Sequence, residues 1–345
     1  MTKNDINQII VDFARQRLSP TKKERDYISA KYEELQTFLD GRTFQNGSYA
    51  RFTSTTPVHD LDVFYILPED VSRKFFRILL ESTELDIANI LESLAEKLGK
   101  LYAGKAKVKP QPHSVGIYFG NEDEFSIDVV PAIPAEKEMY WVPESSRLSI
   151  AARRKLYESH PTTMKWIKSH PRGYISDASR VDKFSNGNFR KTAKFVKKWK
   201  LGCKETNPDF ALKSFHLEQI VTQKFSDNPG CTCIDGIEHF FSTLSGAIQK
   251  PQIPDKADSN RYIDQYVKDL SENERPLILQ SRDEAISVIN HIKVAETEAE
   301  ALNLIEKLLK IERINPPTVI ISGPPRVSTP YSKPYCNDAP SYDSD

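Results

Sequence analysis

Gln45-Asn46-Gly47-Ser48-Tyr49-Ala50, followed by His59-Asp60-Leu61-Asp62, carries the chemistry that the rest of this chain serves. A Gly-Ser turn here predicts the opening of a helix. Its backbone N–H groups and the Ser48 hydroxyl then point outward, where phosphate oxygens bind. The run from Asp60 to Ile66 alternates and predicts a strand. Asp60 and Asp62 are two apart, so both carboxylates share one face while Leu61 and Val63 point to the core. A phosphate cradle beside paired carboxylates suits a triphosphate carrying Mg²⁺. Taken singly, Gly-Ser is compatible with an ordinary turn, and Asp-x-Asp with a strand's solvent edge. Their order, and a third aspartate, Asp128, on another predicted strand, point to the functional reading.

On the N-terminal side, Ile6, Ile9, Ile10 and Phe13 predict a helix over Asn4 to Leu18, broken by Ser19-Pro20. Thr21 and Glu24 form a capping box for the next helix. That helix runs to about Asp40 and should bury Tyr27, Ile28, Tyr32, Leu35, Phe38 and Leu39. Arg42 to Gln45 reads as a short strand entering the turn, and Thr53 to Thr56 as a loop. On the C-terminal side, Thr83 to Leu101 reads as a helix. Three strands follow, over Lys105–Lys109, around Ile117, and over Glu124–Val130. Their short connections imply antiparallel pairing. Pro131, Pro134 and Pro143 mark a non-helical connection. Beyond about Arg180 the pattern is helical: Phe189, Val196 and Trp199 mark one helix, and Leu212, Phe215 and Gln219 another. Ile234 to Ile248, Arg282 to Ile292 and Glu298 to Ile311 mark three more.

The 345 residues suit one two-lobed unit or two small domains, and 39% hydrophobic with 28% charged residues is the composition of a soluble globular chain. Lys plus Arg equals Asp plus Glu, 48 against 48, which argues against a general nucleic-acid coat protein. No apolar run approaches the ~20 residues of a membrane span, and Met1 to Ile10 lacks a signal-peptide pattern. Four cysteines are no disulfide framework, so the expected setting is the reducing cytoplasm, away from membranes. Cys231-x-Cys233 with His239 matches none of the structural zinc spacings.

The succession Gly47-Ser48, Asp60-Leu61-Asp62, then Asp128 within Ser126-Ile127-Asp128-Val129-Val130-Pro131 resembles the polymerase-β nucleotidyltransferase superfamily. Thr53, the helix from Lys194 to Trp199 and Lys213-Ser214-Phe215 make the chain similar to bacterial CD-NTases, relatives of cyclic GMP-AMP synthase that make cyclic oligonucleotides in antiphage defence. The resemblance covers roughly residues 1–250. It implies an α/β (α+β) bilobed fold. N-terminal helices over 1–40 would span the lobes. A nucleotidyltransferase core with a mixed or antiparallel sheet would occupy 41–180, and an α-helical nucleotide-binding lobe 181–315. Residues 316–345, rich in Pro, Ser and Tyr, read as a mostly disordered tail.

The resemblance further implies an enzyme joining ATP- or GTP-type triphosphates into a cyclic di- or trinucleotide second messenger, with release of pyrophosphate. Asp60, Asp62 and Asp128 would be catalytic and hold two Mg²⁺ ions, or Mn²⁺ in their place. Asp60 and Asp62 would bridge the ions, with Asp128 on the ion that lowers the attacking hydroxyl's pKa. Gln45, Gly47 and Ser48 would contact the nucleotide. Lys197 would reach the triphosphate, Ser214 a phosphate or ribose, and Phe215 would stack on a base. His216 and Glu218 read as structural. The implied partners are the triphosphates, a regulatory protein on the helical lobe or the C-terminal tail, and a downstream effector that reads the product. Two alternatives stay open: nucleotidyl transfer onto RNA, a small molecule or a protein, and a non-catalytic nucleotide-binding regulator.

Overall fold

A computed structural model describes residues 1–72, 87–120, 124–143 and 166–311. Two helices open the chain. Helix α1, Lys3–Phe13, starts at a capping box in which Thr2 and Asp5 satisfy each other's backbone N–H groups, and it runs on into a π-helical turn over Ala14–Leu18. The predicted helix therefore reaches Leu18, but its last turn is widened. Helix α2, Lys22–Phe38, begins at the expected box: Thr21 Oγ1 accepts from Glu24 N at 3.2 Å, and Glu24 accepts from Thr21 N at 2.7 Å. Ile28, Leu35 and Leu39 are buried as expected, but Tyr27 is 43% exposed. The buried stripe runs through Ile28 and Leu35, which leaves Tyr27 at its rim with its ring edge-on to Phe125.

The sheet comprises seven strands among the described residues. Five of them, β1 (Thr43–Asn46), β2 (Asp60–Ile66), β3 (Lys107–Pro110), β4 (Val115–Phe119) and β5 (Phe125–Pro134), lie in the order β1-β2-β5-β4-β3. Strands β2 and β5 are parallel, and the other pairs are antiparallel. The sheet is therefore mixed. Between β1 and β2 lies a four-residue helical turn, α3 (Gly47–Ala50), shorter than a full helix. The proline-marked stretch differs from expectation. β5 continues through Pro131 to Pro134, then pairs with β6 (Tyr140–Pro143), which pairs with β7 (Trp166–Ser169). Leu67 N donates to Ala132 O at 2.9 Å, so the ladder is satisfied through carbonyls where proline supplies no N–H.

One sheet face packs against α2 and helix α4 (Ile87–Leu101), burying Leu61, Val63, Val115, Ile117, Ile127 and Val129 with Leu35, Leu94 and Leu98. The expected helix over 83–101 begins in residues that are not described. The opposite face carries a small aromatic cluster of Phe64, Tyr140 and Phe44 at its far end, and Asp60 and Asp62 nearer the cleft.

The helical region begins at Pro171, earlier than Arg180. Helix α5, Pro171–Phe184, starts with proline in its first turn, where a missing N–H costs nothing. It is followed by α6 (Asn188–Thr206), α7 (Ser214–Asp227), α8 (Cys233–Ala247), α9 (Glu274–Val294) and α10 (Glu298–Leu308). Trp199, Phe189, Phe225, Phe240 and Phe241 fill their shared core, and α1 packs into it through Ile6, Ile10 and Phe13. Helices α1 and α2 thus divide between the two cores. The stretch expected to be a tail, 316–345, lies outside the described residues.

Candidate active site

The parallel register of β2 and β5 sets Asp62 opposite Asp128 and Asp60 opposite Ser126. On the other side of β2, Asp62 pairs with Asn46 of β1. Asp62 therefore stands between an amide and a carboxylate on one sheet face. Its own burial raises its pKa to about 7, helped by the charges of Asp60 and Asp128 and opposed by Arg51 and Lys197. Asp128 is raised to about 6 by burial and by Asp60, against a hydrogen bond from Gln111. Gln111, in the β3–β4 connection, donates from Nε2 to Asp128 Oδ1 at 3.0 Å and to Tyr118 Oη at 2.8 Å. Asp60, at the strand's exposed end, completes the cluster.

Gly47 has φ +68°, the left-handed region that favours glycine. A β-carbon there would fall 1.7 Å from Asp62 Oδ2. The Gly-Ser turn and the carboxylate strand therefore interlock at this glycine. The turn ends as Thr53 N donates to Ser48 O at 2.9 Å.

Behind the turn lies a buried ionic network. Glu218, fully buried on α7, accepts from Arg51 Nε at 2.5 Å, Thr53 Oγ1 at 2.7 Å and Lys197 Nζ. Lys197 Nζ also donates to Thr53 Oγ1 at 2.9 Å. Burial would raise the Glu218 pKa, but the charges and hydrogen bonds of Lys197 and Arg51 prevail and hold it at about 2. Lys197 moves down, because its burial outweighs the pull of Glu218 and the Arg51 charge repels its own. Glu218 is thus an ionised carboxylate serving two cations.

Arg51, Lys197 and the turn face a cleft of about 560 Å³, within the ~300–1,000 Å³ typical of small-molecule sites. Gly47, Ser48, Asp60, Asp62, Lys197, Ser214 and Phe215 all line it. Gln45 does not, since it sits on β1 opposite Val63, and its neighbour Asn46 lines the cleft instead. Asp128 stands one strand further in. Ser214 opens α7 and accepts from Lys200 Nζ at 3.4 Å. The Phe215 ring has Arg51 over one face at 4.9 Å and Tyr174 edge-on at 5.0 Å. Lys200, one of the basic residues of α6, also lines the cleft, as do Arg51, Tyr174 and Asp255, which the sequence reading did not single out. Arg51 carried a signal, as the cation closing the turn that Gly47 opens. Tyr174 and Asp255 carried none, because only tertiary folding brings their segments to the cleft.

The donor set suits a hard divalent cation: mutually repelling carboxylate oxygens, and Asn46 Oδ1, buried without a hydrogen-bond partner among the described residues. Among those residues, no three His, Cys, Asp or Glu side chains converge closely enough to cage an ion. Gln111 occupies one Asp128 oxygen, Oδ1, and Asp128 does not line the cleft. The chemistry fits Mg²⁺, with Asp60 and Asp62 as the accessible ligands. Cys203, Cys231 and Cys233 are buried free thiols. No helix among the described residues is long and apolar enough to cross a membrane.

Residues 5–149 match the family profile described as Second Messenger Oligonucleotide or Dinucleotide Synthetase domain. The chain is 24% identical over 263 residues to the cyclic AMP-AMP-AMP synthase of Escherichia coli MS 115-1, covering 70% of this chain and 72% of that protein. It is also 25% identical over 192 residues to the CCA-adding enzyme of Pyrococcus horikoshii, covering 53% of this chain and 37% of that enzyme. Among solved structures, E. coli MS115-1 CdnC superposes in its ATP-containing form with a TM-score of 0.65 at 16% identity, covering 88% of this chain and 97% of that one. The same protein solved as a complex with HORMA-deltaN gives 0.64 at 17% identity with the same coverage. The resemblance to bacterial CD-NTases holds in sequence and in fold, and the mixed α/β architecture is the one these solved structures share.

Proposed function

We propose that this chain is a Mg²⁺-dependent nucleotidyltransferase that joins ATP- or GTP-type triphosphates into a cyclic di- or trinucleotide, releasing pyrophosphate, as a signal in antiphage defence. One observation carries the reading: Asp62 meets the Gly47 turn on one side and Asp128 on the other, inside a cleft that also presents Arg51, Lys197 and Lys200. Bound Mg²⁺ would offset phosphate charge and lower the pKa of the attacking hydroxyl. The protein's own groups supply the rest. Ser48 and the turn receive phosphate oxygens. Lys197 and Lys200 face the phosphate chain from the helical side as fixed counter-charge. Phe215, braced by Tyr174, offers a ring to the base.

The test is incubation with labelled ATP and GTP plus Mg²⁺, followed by phosphatase treatment. A phosphatase-resistant product is expected, since a ring has no terminal phosphate. A product that loses its label would refute cyclisation, and no product at all would refute the transferase reading. A second reading, transfer onto an RNA end, is favoured by the similarity to a CCA-adding enzyme, and RNA extension in the same assay would support it. The CdnC:HORMA-deltaN complex supports a regulatory protein partner here as well. The product would in turn be read by a downstream effector in the cytoplasm.

A further inference from the structure

Arg51 and Thr53 belong to the segment between α3 and β2, whereas Lys197 and Glu218 sit on helices of the other lobe. The Glu218 carboxylate binds all three of the others, two of them cations that line the cleft. Its side chain is wholly buried, so it touches no solute. A buried carboxylate of this kind could serve packing alone, but two features argue for more. Both cations line the cleft that Asp62 lines, and both act on its charge. Arg51 is further fixed from its other side by the Phe215 ring.

We propose that Glu218 is a positioning residue for nucleotide binding: it holds Lys197 and Arg51, one cation from each lobe, in the orientation that presents both to the phosphate chain. This rests on the reading of the cleft as a triphosphate site. Glu218 also sustains the charge it positions. Lys197 is faced by Glu218 from α7, by Arg51 from the turn, by Asp60 and Asp62 from β2, and by Lys194 and Lys200 along its own helix. Burial and Arg51 disfavour its protonated form, and Glu218 is the carboxylate hydrogen-bonded to it that opposes them. Without Glu218 the amine would lose its proton at a lower pH.

The experiment measures equilibrium binding of ATP and of GTP from pH 7 to 9, with thermal melts to confirm folding. The wild type should show only the pH dependence that Asp62 imparts as it ionises near 7, and that profile is the reference. Glu218→Gln should weaken binding on the order of tenfold, and progressively more as pH rises. Adding Lys197→Arg, whose charge does not titrate there, should restore the wild-type profile. A shorter carboxylate, Glu218→Asp, cannot span both cations. It should weaken binding without introducing further pH dependence, and it serves as the deciding variant if Glu218→Gln does not fold. Folded variants that bind like the wild type, with the wild-type pH profile, overturn the role of Glu218 alone. A wild type that binds neither nucleotide overturns the triphosphate reading and this inference with it.

Discussion

Gly47 and Asp62 occupy the same space up to the limit of contact, since a β-carbon on the glycine would lie 1.7 Å from the carboxylate oxygen. The Gly47 backbone is also left-handed, with φ +68°. Gly47→Ala therefore meets two penalties, backbone strain of ~1–2 kcal/mol and a forced displacement of Asp62. Denaturant unfolding should show the first. Turnover should fall by more than the stability loss explains, and an alanine variant with near-normal turnover would show that Asp62 need not sit where it does.

Asp62 stands in repulsion with Asp60 and Asp128. Removing its charge should relieve the metal-free fold while ending the chemistry. Asp62→Asn should thus melt at or above the wild-type temperature at pH 8 without metal, yet form no product. A clear fall in melting temperature would mean that the carboxylate is held by favourable contacts, contrary to the repulsion seen here. Asp60→Asn should likewise lose product.

The same groups fix a pH dependence. Asp62 and Asp128, at about 7 and about 6, both lie above the ordinary aspartate value of 3.8. The native state therefore holds protons that the unfolded chain releases between those values. Their stabilising contribution is full below about pH 4 and is lost as pH rises through 6 and 7. Mg²⁺ competes with the Asp62 proton, so its stabilising effect should be small at pH 5.5 and large at pH 8. Melting curves with and without Mg²⁺ at the two pH values decide the matter, and an equal Mg²⁺ shift at both would exclude Asp62 as a ligand.

Phe215 shares its ring between Arg51 and Tyr174. Phe215→Ala should cost roughly 1–3 kcal/mol of nucleotide binding, and Phe215→Tyr should retain most of it. Titration with ATP and with an abasic ribose triphosphate separates the two contributions. If the alanine variant loses affinity equally for both, the ring acts by holding Arg51 and not by stacking.

The strand Asp60–Ile66 and the Thr21 capping box were legible because each depends on local spacing alone. Asp60 and Asp62 were legible as a pair from the two-residue period, and Asp128 joined them through the resemblance, since the β2–β5 pairing that sets it opposite Asp62 is tertiary. The Pro131–Pro143 stretch was not, since proline argues against a strand unless its neighbours are known to bond through carbonyls. Gln111 at Asp128, and Tyr174 and Asp255 in the cleft, depend on packing between distant segments. Glu218 read as structural from its apolar helix. What escaped the sequence was that its partners are the cleft's cations.

The division of α1 and α2 between the two cores bears on the order in which the chain folds. The sheet core draws on residues from Ile28 to Ile133, whereas the helical core joins Ile6–Leu18 to residues from Ala178 to Leu309. One core is thus sequence-contiguous, and the other closes around it from both sides. α1 leaves the ribosome before the helices it packs on, α8 and α10. Until those emerge, Ile6, Ile10 and Phe13 face water. The sheet core can form during synthesis, while the helical core bears the long loop-closure cost and should be the slower step. Lys3 bonded to Asp235 marks where that late closure is fastened.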